Sequence, residues 1–418
     1  YWGVNFFTVD EHLESAGLTF ADFTRRLRDE HDLKYVLDIV CNHGSPAWSM
    51  LSDQPMFGEL YDADGNRVAD HQNLHPRDLD DENPLHDFFN REPGLAELAD
   101  FNEDNPAVLD YFVDAYSRWL DQGVAAFRID TIAFMEHAYW KSFSDRIRAK
   151  RPGLFMFAEH FSFEADAIAE HTWPENGGIS VLDFPGRAAR VEGFGGGAPF
   201  GQLEDYLNLE SGLYENPYEL MTFYDNHDMD RMDADENGFI DAHNWLFTSR
   251  GIPVVYYGSE IGFRAGTNEH TGNRDYFGQA NVDIAKTHPI REELARMAHL
   301  RKHSIALQRG LQVNDRLDGD VAVFYRVYEK DGVAQTALVL LNKGDDAATL
   351  SVSRLLSAGT WRDAFSGQPF SVDSDAAALN IDVPAHGARV LFFDEPISNP
   401  RMLQRLEQLQ AKARRRTP

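Results

Sequence analysis

Two charged side chains stand one residue apart at the end of an apolar stretch, residues 123–130, which reads GVAAFRID. Side chains i and i+2 of a strand point to the same face, so Arg128 and Asp130 are expected to lie side by side. The arginine would stabilise the ionised carboxylate, which is the form that a carboxylate nucleophile needs. A purely structural ion pair is the alternative, because such pairs also occur away from functional sites.

Two further carboxylates follow apolar segments of strand length, Glu159 after residues 154–158 and Asp228 after residues 220–224. Groups of carboxylates serve two main chemistries, metal binding and glycoside hydrolysis. In hydrolysis with retention, one carboxylate attacks the anomeric carbon and another, about 5–5.5 Å away, protonates the leaving oxygen. Asp130 suits the nucleophile, and Glu159 suits the acid because partial burial favours its protonated form. Asp228 would hydrogen-bond sugar hydroxyls in the transition state.

Histidine, asparagine and aspartate side chains also occur where predicted strands end. His43 and His227 each follow an asparagine, and either alone is better explained as a capping or packing histidine. Together they resemble hydrogen-bond donors to sugar hydroxyls. Asn42 and Asp100 offer the hard oxygen ligands that calcium prefers, although each alone is more simply a turn former.

The elements that must position these residues alternate along the chain. We predict strands at residues 35–40, 123–130, 154–158, 180–184, 220–224 and 252–257, and helices at residues 20–31, 106–120, 138–150, 202–210, 241–250 and 288–302. This alternation predicts an α/β fold with a helix-covered parallel sheet. Polar residues at the carboxyl ends of several strands are typical of the active-site face of a β/α barrel. Short strands between turns after residue 305 predict an antiparallel β domain.

Five segments follow from this pattern. We predict an incomplete N-terminal part of the barrel at 1–43, a loop domain at 44–104, the remainder of the barrel at 105–304, a C-terminal β-sandwich at 305–395 and a basic tail at 396–418. Residues 399–415 within the tail read as a solvated helix.

Composition narrows the class of partner. The 418 residues carry a net charge of −29, from 68 acidic and 39 basic residues. Such a surface repels nucleic acid and anionic lipid, so we expect a neutral substrate and neither a nucleic-acid nor a membrane partner. The single cysteine, Cys41, excludes an internal disulfide.

Six motifs in order resemble those of the α-amylase family of glycoside hydrolases. They are DIVCNH at 38–43, LADFN at 98–102, FRID at 127–130, Glu159, FYDNHD at 223–228 and GIPVVYYGSE at 251–260. The resemblance implies a (β/α)8-type barrel with an inserted loop domain and a C-terminal antiparallel β domain. This chain begins after the family's first two strands, so we expect a barrel that lacks its first strands and a truncated sequence.

The resemblance also implies roles for individual residues. Asp130 would be the nucleophile, Glu159 the general acid/base and Asp228 the transition-state stabiliser. The substrate-binding residues that it implies are Tyr1, His43, Arg128, Phe161, Phe184, His227 and Arg274. Tyr1 would stack on the sugar beside the cleaved bond, and Arg274 would belong to a donor-side subsite. Asn42 and Asp100, with the backbone carbonyl near Phe134, fall where the family binds a structural calcium ion.

Within the family, the chain most resembles the cyclodextrin glucanotransferase branch, in which Phe161 and Phe184 would be acceptor-side aromatics. Three positions depart from that branch. Ala96 aligns with its central aromatic residue, and Ala133 and Phe134 replace a lysine and a histidine after the nucleophile. We also expect no starch-binding domain after the β domain. These departures favour hydrolysis over cyclisation.

We therefore expect a retaining α-1,4-glucan hydrolase, an α-amylase acting on starch or maltooligosaccharides. A glucanotransferase that makes cyclic or longer glucans is the alternative, and a non-catalytic amylase-like binding protein is a third. Product analysis separates the first two, because cyclic products appear without new reducing ends. From the resemblance we also expect a calcium-stabilised monomer that is secreted or periplasmic.

Overall fold

A computed structural model of the chain describes residues 2–50, 58–207 and 212–413. The chain divides into two units. The first unit comprises Tyr1–Phe161 and Asp166–Leu182, and the second comprises Ser162–Ala165 and Asp183–Pro418. Tyr1, the predicted stacking residue, lies outside the described residues.

The first unit carries most of the predicted catalytic residues. Its strands are β1 (Tyr35–Ile39), β2 (His43–Pro46), β3 (Glu59–Tyr61), β4 (Arg67–Asp70), β5 (Leu98–Asp100), β6 (Val124–Ile129), β7 (Phe155–Ala158) and β8 (Ser180–Val181). Its helices are α1 (Phe20–His31), α2 (Pro106–Asp121), α3 (His137–Lys150) and α4 (Ala165–Ala169), the last of which starts in the second unit. Strands β1, β6, β7 and β8 form a parallel sheet in that order.

Helix α2 shows how local sequence produces these elements. Asn105 caps its start by accepting a hydrogen bond from the N–H of Ala107, and Pro106 occupies the first turn, where no backbone donor is needed. Val108 and Phe112 on its inner face are fully buried, as the helical spacing predicts. The helix leads directly to β6, whose last residues position the catalytic candidates.

Strand β1 forms one margin of the parallel sheet. Its outer edge pairs with no strand among the described residues, and Val36 is 43% exposed. A cavity of about 650 Å³ lies beside it. The apolar part of the cavity lining comprises mainly Phe20, Phe23, Tyr35, Leu37, Tyr116 and Trp119.

The second unit combines further α/β elements with an antiparallel part. Its helices are α5 (Phe184–Phe194), α6 (Phe200–Tyr206), α7 (Glu236–Thr248), α8 (Gly278–Ala285), α9 (Pro289–Lys302), α10 (Ile305–Arg309) and α11 (Pro400–Ala413). Its first two strands, β9 (Met221–Thr222) and β10 (Ile252–Pro253), pair in parallel. The following strands are β11 (Leu311–Asp318), β12 (Val321–Lys330), β13 (Val333–Asn342), β14 (Ala348–Val352), β15 (Gly359–Asp363), β16 (Pro369–Val372), β17 (Leu379–Val383) and β18 (Gly387–Phe393).

The predicted C-terminal antiparallel β domain is confirmed. Six strands form an antiparallel sheet in the order β11-β12-β13-β18-β15-β16, and β14 pairs with β17. Among the residues that the structure describes, the parallel strands belong to two groups, four in the first unit and two in the second. The barrel therefore stays a prediction, and so does the expectation that its first strands are missing from this sequence. The five segment boundaries also stay predictions.

Three predicted strands are partly wrong. The strands predicted at 220–224 and 252–257 extend only over Met221–Thr222 and Ile252–Pro253. The third, predicted at 180–184, ends at Val181, and Phe184 begins helix α5. The side chain of Asp183 accepts a hydrogen bond from the N–H of Gly186 and so caps the helix. Within the described residues, no helix is both long and apolar enough to cross a membrane.

Candidate active site

Arg128 and Asp130 lie side by side at the carboxyl end of β6, as the strand alternation predicts. Arg128 Nη1 donates to Asp130 Oδ1 over 2.6 Å. The two residues are only 8% and 6% exposed. An ion pair with so little solvent around it is screened weakly, so the attraction between the guanidinium and the Asp130 carboxylate is strong.

The same guanidinium contacts two more carboxylates. Nη2 lies 3.0 Å from Glu159 Oε1, as an ion pair that is not aligned as a hydrogen bond. Nη1 also donates to Asp38 Oδ1 over 2.8 Å. Burial opposes the charged form of Arg128, but the charges of Asp38, Glu159 and Asp130 outweigh burial and raise its pKa. Arg128 therefore stays charged and links the ends of three neighbouring strands.

The shared guanidinium limits how far apart the two predicted catalytic carboxylates can be. Because the two terminal nitrogens of a planar guanidinium are about 2.3 Å apart, Asp130 Oδ1 and Glu159 Oε1 are separated by at most about 8 Å. Carboxylates that flank one glycosidic linkage lie within about 5–9.5 Å of each other. The pair is thus close enough to act on a single linkage.

Backbone hydrogen bonds keep these strand ends in register. The N–H of Asp130 donates to the carbonyl oxygen of Ile39 over 2.9 Å, and the N–H of Glu159 donates to that of Ile129 over 2.8 Å. Asp38 pairs directly with Arg128 across β1 and β6. Asp38 belongs to the motif at 38–43, but its contact with Arg128 does not follow from the sequence pattern. The sequence signal for such a role is its position two residues before the end of the strand predicted at 35–40.

His43 lies beside the same group of charged side chains. Its ring is buried, with Nε2 4.0 Å from Asp130 Oδ2 and Nδ1 3.2 Å from Asn42 Oδ1. The histidine predicted from its strand-end position thus lies next to the predicted nucleophile.

The three predicted calcium ligands also come together. Asn42 Nδ2 donates to Asp100 Oδ1 over 2.9 Å and lies 3.5 Å from the carbonyl oxygen of Phe134. Burial raises the pKa of Asp100 to about 6. A flip of the Asn42 amide would turn its oxygen to the same point, giving three hard oxygen ligands.

This set of ligands therefore fits calcium. No cluster of three or more His, Cys, Asp or Glu side chains that could hold a metal occurs in the described part of the chain. A cation at Asn42 would accordingly depend on amide and carbonyl oxygens as well as on the carboxylate. Calcium binding stays a prediction.

The third predicted catalytic carboxylate, Asp228, lies in the second unit. Its Oδ1 accepts a hydrogen bond from Arg274 Nη2 over 2.5 Å, and its Oδ2 lies 3.0 Å from His227 Nε2. Arg274 Nε also donates to the carbonyl oxygen of His227 over 2.8 Å. The structure thus brings Arg274 to His227 and Asp228, which lie 47 and 46 positions away in the sequence.

The motif at 223–228 contains a second aspartate, and its surroundings are different. Asp225 is 3% exposed and accepts hydrogen bonds from the N–H of Met232 and the hydroxyl of Ser259. Burial raises the pKa of Asp225. The side chain of Asp228 is 28% exposed. Asp225 therefore holds the loop together, while Asp228 is accessible to a ligand.

The two predicted acceptor-side aromatics differ in accessibility. Phe161 is 56% exposed, so its ring is available for stacking. Phe184 has no exposed surface, and its ring packs edge-on against Phe223 at 5.2 Å. A stacking role for Phe184 would require its ring to become accessible, whereas its observed contact is with the core.

The chain matches known proteins along most of its length. Residues 1–296 match the family model described as the α-amylase catalytic domain, and residues 314–390 match that of the maltogenic amylase C-terminal domain. A cyclomaltodextrin glucanotransferase from Niallia circulans is 30% identical over 381 residues, which are 88% of this chain and 51% of that protein. This chain spans about half the length of the curated relatives it matches.

Solved structures give the same similarity. A cyclomaltodextrin glucanotransferase described as having a three-domain ABC distribution is 27% identical, with a TM-score of 0.75, and the match covers 95% of this chain and 82% of that one. An α-amylase from Geobacillus thermoleovorans, solved with acarbose, shares the fold with a TM-score of 0.72 at 21% identity, over 94% of this chain and 84% of that one.

Proposed function

Because this chain belongs to the α-amylase family of glycoside hydrolases and transferases, we propose that it hydrolyses α-1,4-glucosidic bonds in starch or maltooligosaccharides with retention of configuration. The observation that supports this most directly is the buried Arg128, which contacts both Asp130 and Glu159. One guanidinium holds a nucleophile and an acid within reach of the same linkage.

The proposed reaction has two displacements. Asp130 attacks the anomeric carbon, while Glu159 gives its proton to the departing glycosidic oxygen, so that the shortened glucan leaves and a glycosyl–Asp130 ester forms. Glu159, now ionised, takes a proton from water, and the resulting hydroxide attacks the anomeric carbon and releases Asp130. Asp228 would accept hydrogen bonds from sugar hydroxyls that strengthen in the transition state.

The residues around the carboxylates have supporting roles in this proposal. Arg128 stabilises the charge that returns to Asp130 when the ester is cleaved. His43 would donate a hydrogen bond to a sugar hydroxyl beside Asp130, and His227 and Arg274 would do so beside Asp228. Calcium, held by Asn42, Asp100 and the Phe134 carbonyl, would fix the loop domain to the segment after Asp130.

Starch hydrolysis gives a direct test. Wild-type protein incubated with soluble starch is expected to release reducing ends, and Asp130→Asn is expected to lose at least about 10⁴-fold in kcat. Asp145→Asn removes an exposed carboxylate from α3 and serves as the matched control. Absence of reducing ends, with Asp130→Asn indistinguishable from wild type, would remove the proposal.

Glucan transfer is the second candidate, and the similarity to cyclomaltodextrin glucanotransferases favours it. Ala133 and Phe134 argue for hydrolysis, because they remove donors that would hold an incoming sugar. Chromatography of the starch products decides between them. Cyclic glucans without a matching rise in reducing ends would assign transfer, and linear maltooligosaccharides would assign hydrolysis.

A further inference from the structure

One aromatic ring in the second unit has almost no packing partner. Tyr276 is 92% exposed, more than any other large hydrophobic side chain among the described residues. An exposed tyrosine ring offers an apolar face and a polar hydroxyl to a ligand. What the ring can bind is therefore decided by the residues that surround it.

The backbone on both sides of this ring is firmly held. Asp275 forms an ion pair with Arg264 at 2.6 Å, and its carbonyl oxygen accepts a hydrogen bond from the hydroxyl of Tyr257 over 2.8 Å. Phe277 packs edge-on against Phe263, with ring centroids 5.2 Å apart. The backbone that carries Tyr276 is thus anchored, so ordering of this backbone costs little when a ligand binds to the ring.

Gly278 leaves the space that the ring uses. It has a φ of +70°, and a Cβ at this position would come within 3.3 Å of Tyr276 Cε1. The ring edge therefore lies close against the backbone at the start of α8. A larger residue at position 278 would displace it.

The turn is joined to the predicted catalytic machinery. Arg274, two residues before Tyr276, contacts Asp228 and the backbone of His227. Residues two apart have Cα atoms at most about 7 Å apart. The exposed ring accordingly lies close to a residue expected to bind the donor side of the substrate.

We propose that Tyr276 is an outer donor-side position for a glucose unit of a long α-glucan. This inference rests on the proposed function. The apolar ring stacks on the C–H face of the sugar. Arg274 and Arg264, whose side chains are 47% and 54% exposed, donate hydrogen bonds to the sugar hydroxyls. The position makes the enzyme favour long chains over short ones.

Substrate length provides the test. The ratio of kcat/KM for maltoheptaose to kcat/KM for maltotriose is measured for wild type, Tyr276→Ala and Tyr276→Phe. Tyr276→Ala is expected to lower the ratio roughly tenfold, because only the longer substrate reaches the ring. Tyr276→Phe keeps the ring and is expected to preserve the ratio within about twofold. Leu13→Ala, which removes a 78% exposed apolar side chain in the first unit, is the control and is expected to leave the ratio unchanged.

The outcomes separate this inference from the proposed function. An equal loss on both substrates, or an unchanged ratio in Tyr276→Ala, would overturn the role of Tyr276 while leaving hydrolysis intact. If wild type cleaves neither substrate, the proposed function fails. In that case calorimetric titration with maltoheptaose tests the role of Tyr276. Weaker binding by Tyr276→Ala than by wild type supports the stacking position, and equal dissociation constants for the two proteins overturn it.

Discussion

The backbone N–H of Ile132 donates a hydrogen bond to the carbonyl oxygen of Glu159 over 3.0 Å. This bond joins the segment after one catalytic candidate to the backbone of the other. It requires a sharp turn immediately after Asp130, and Thr131 makes that turn with φ 48° and ψ 42°. A β-branched residue rarely adopts this left-handed conformation. The fully buried Ile132, whose carbonyl oxygen accepts from Trp140 Nε1 at 2.8 Å, holds the strained turn in place.

Replacing Thr131 by glycine is expected to stabilise the protein by about 1 kcal/mol, because glycine enters the left-handed region without strain. The Thr131 hydroxyl, which is buried without a hydrogen-bond partner, is removed at the same time. Denaturant unfolding of both proteins measures the difference. Thr172→Gly is the control, since the Thr172 hydroxyl donates to Ala169 and its φ is not positive. A loss of stability in Thr131→Gly as large as that in Thr172→Gly would show that the turn is not strained.

Replacing Arg128 by methionine is expected to lower the free energy of unfolding by about 3–5 kcal/mol, because Asp130 and Glu159 would be left buried without their cation. We expect kcat on starch to fall at least about 100-fold as the carboxylates lose their relative positions. Denaturant unfolding and initial rates check the two effects. Arg146→Met breaks an exposed pair with Asp110 and is expected to change stability by less than about 1 kcal/mol. Equal effects of the two substitutions would contradict the bridging role.

Calcium is expected to raise the melting temperature, because binding at Asn42 and Asp100 stabilises only the folded chain. An excess of 100-fold over the dissociation constant would add about 2.7 kcal/mol. Thermal melts with calcium and with a chelator measure the effect. Asp100→Asn should abolish the difference between the two conditions. A chelated wild type that melts at the same temperature as the calcium-loaded protein would exclude a structural ion.

Stability is expected to fall as the pH rises from about 4 to 8 through the contact of His386 with Asp241. His386 Nδ1 lies 2.7 Å from Asp241 Oδ2, and its Nε2 lies 3.1 Å from Asp345 Oδ1. Burial raises the pKa of Asp241 to about 7 against the hydrogen bond and charge of His386 and the charge of Lys343, with Asp235 adding to the rise. Burial lowers the pKa of His386, but its two carboxyl partners outweigh burial and raise it.

The two pKa shifts therefore change stability with pH in the same direction. Each binds its proton more tightly in the folded chain, so its contribution is complete below the unfolded value and is lost as the pH rises through the folded one. The melting temperature of wild type is expected to fall by roughly 5 °C over this range from this contact. Asp241→Asn should flatten the profile, and Asp345→Asn, at a residue whose side chain is 98% exposed, should change it little. A parallel profile in Asp241→Asn would refute the assignment.

The elements that could be predicted from sequence are those whose pattern is local. Helix α2 starts at the predicted Pro106 because a capping asparagine and an apolar face coincide there. The antiparallel strands after residue 311 follow the apolar runs between turns that predicted them. The short strand β8 was overestimated because Val181 and Leu182 resemble a strand, whereas the Asp183 cap takes the next residue into α5. Helix α8 was missed, since none of its residues is buried.

In the candidate site, too, the features that follow from local sequence could be predicted and those that depend on the fold could not. The positions of Asp130 and Glu159 at strand ends could be predicted, because apolar runs end just before them. The contacts of Arg128 with Asp38 and Glu159 could not, because they join residues that are distant in sequence and depend on strand order. The link between Arg274 and Asp228 spans 46 positions and likewise follows only from the fold.

The outer margin of β1, which pairs with no strand among the described residues, has a practical consequence for handling a protein of this sequence. A strand edge that lies unpaired beside an apolar hollow can template pairing with another chain, so concentrated solutions of this polypeptide are expected to self-associate and lose solubility. Val36→Lys would place a charge on that margin and should shift size-exclusion profiles toward the smaller species, which offers a route to well-behaved samples for crystallisation.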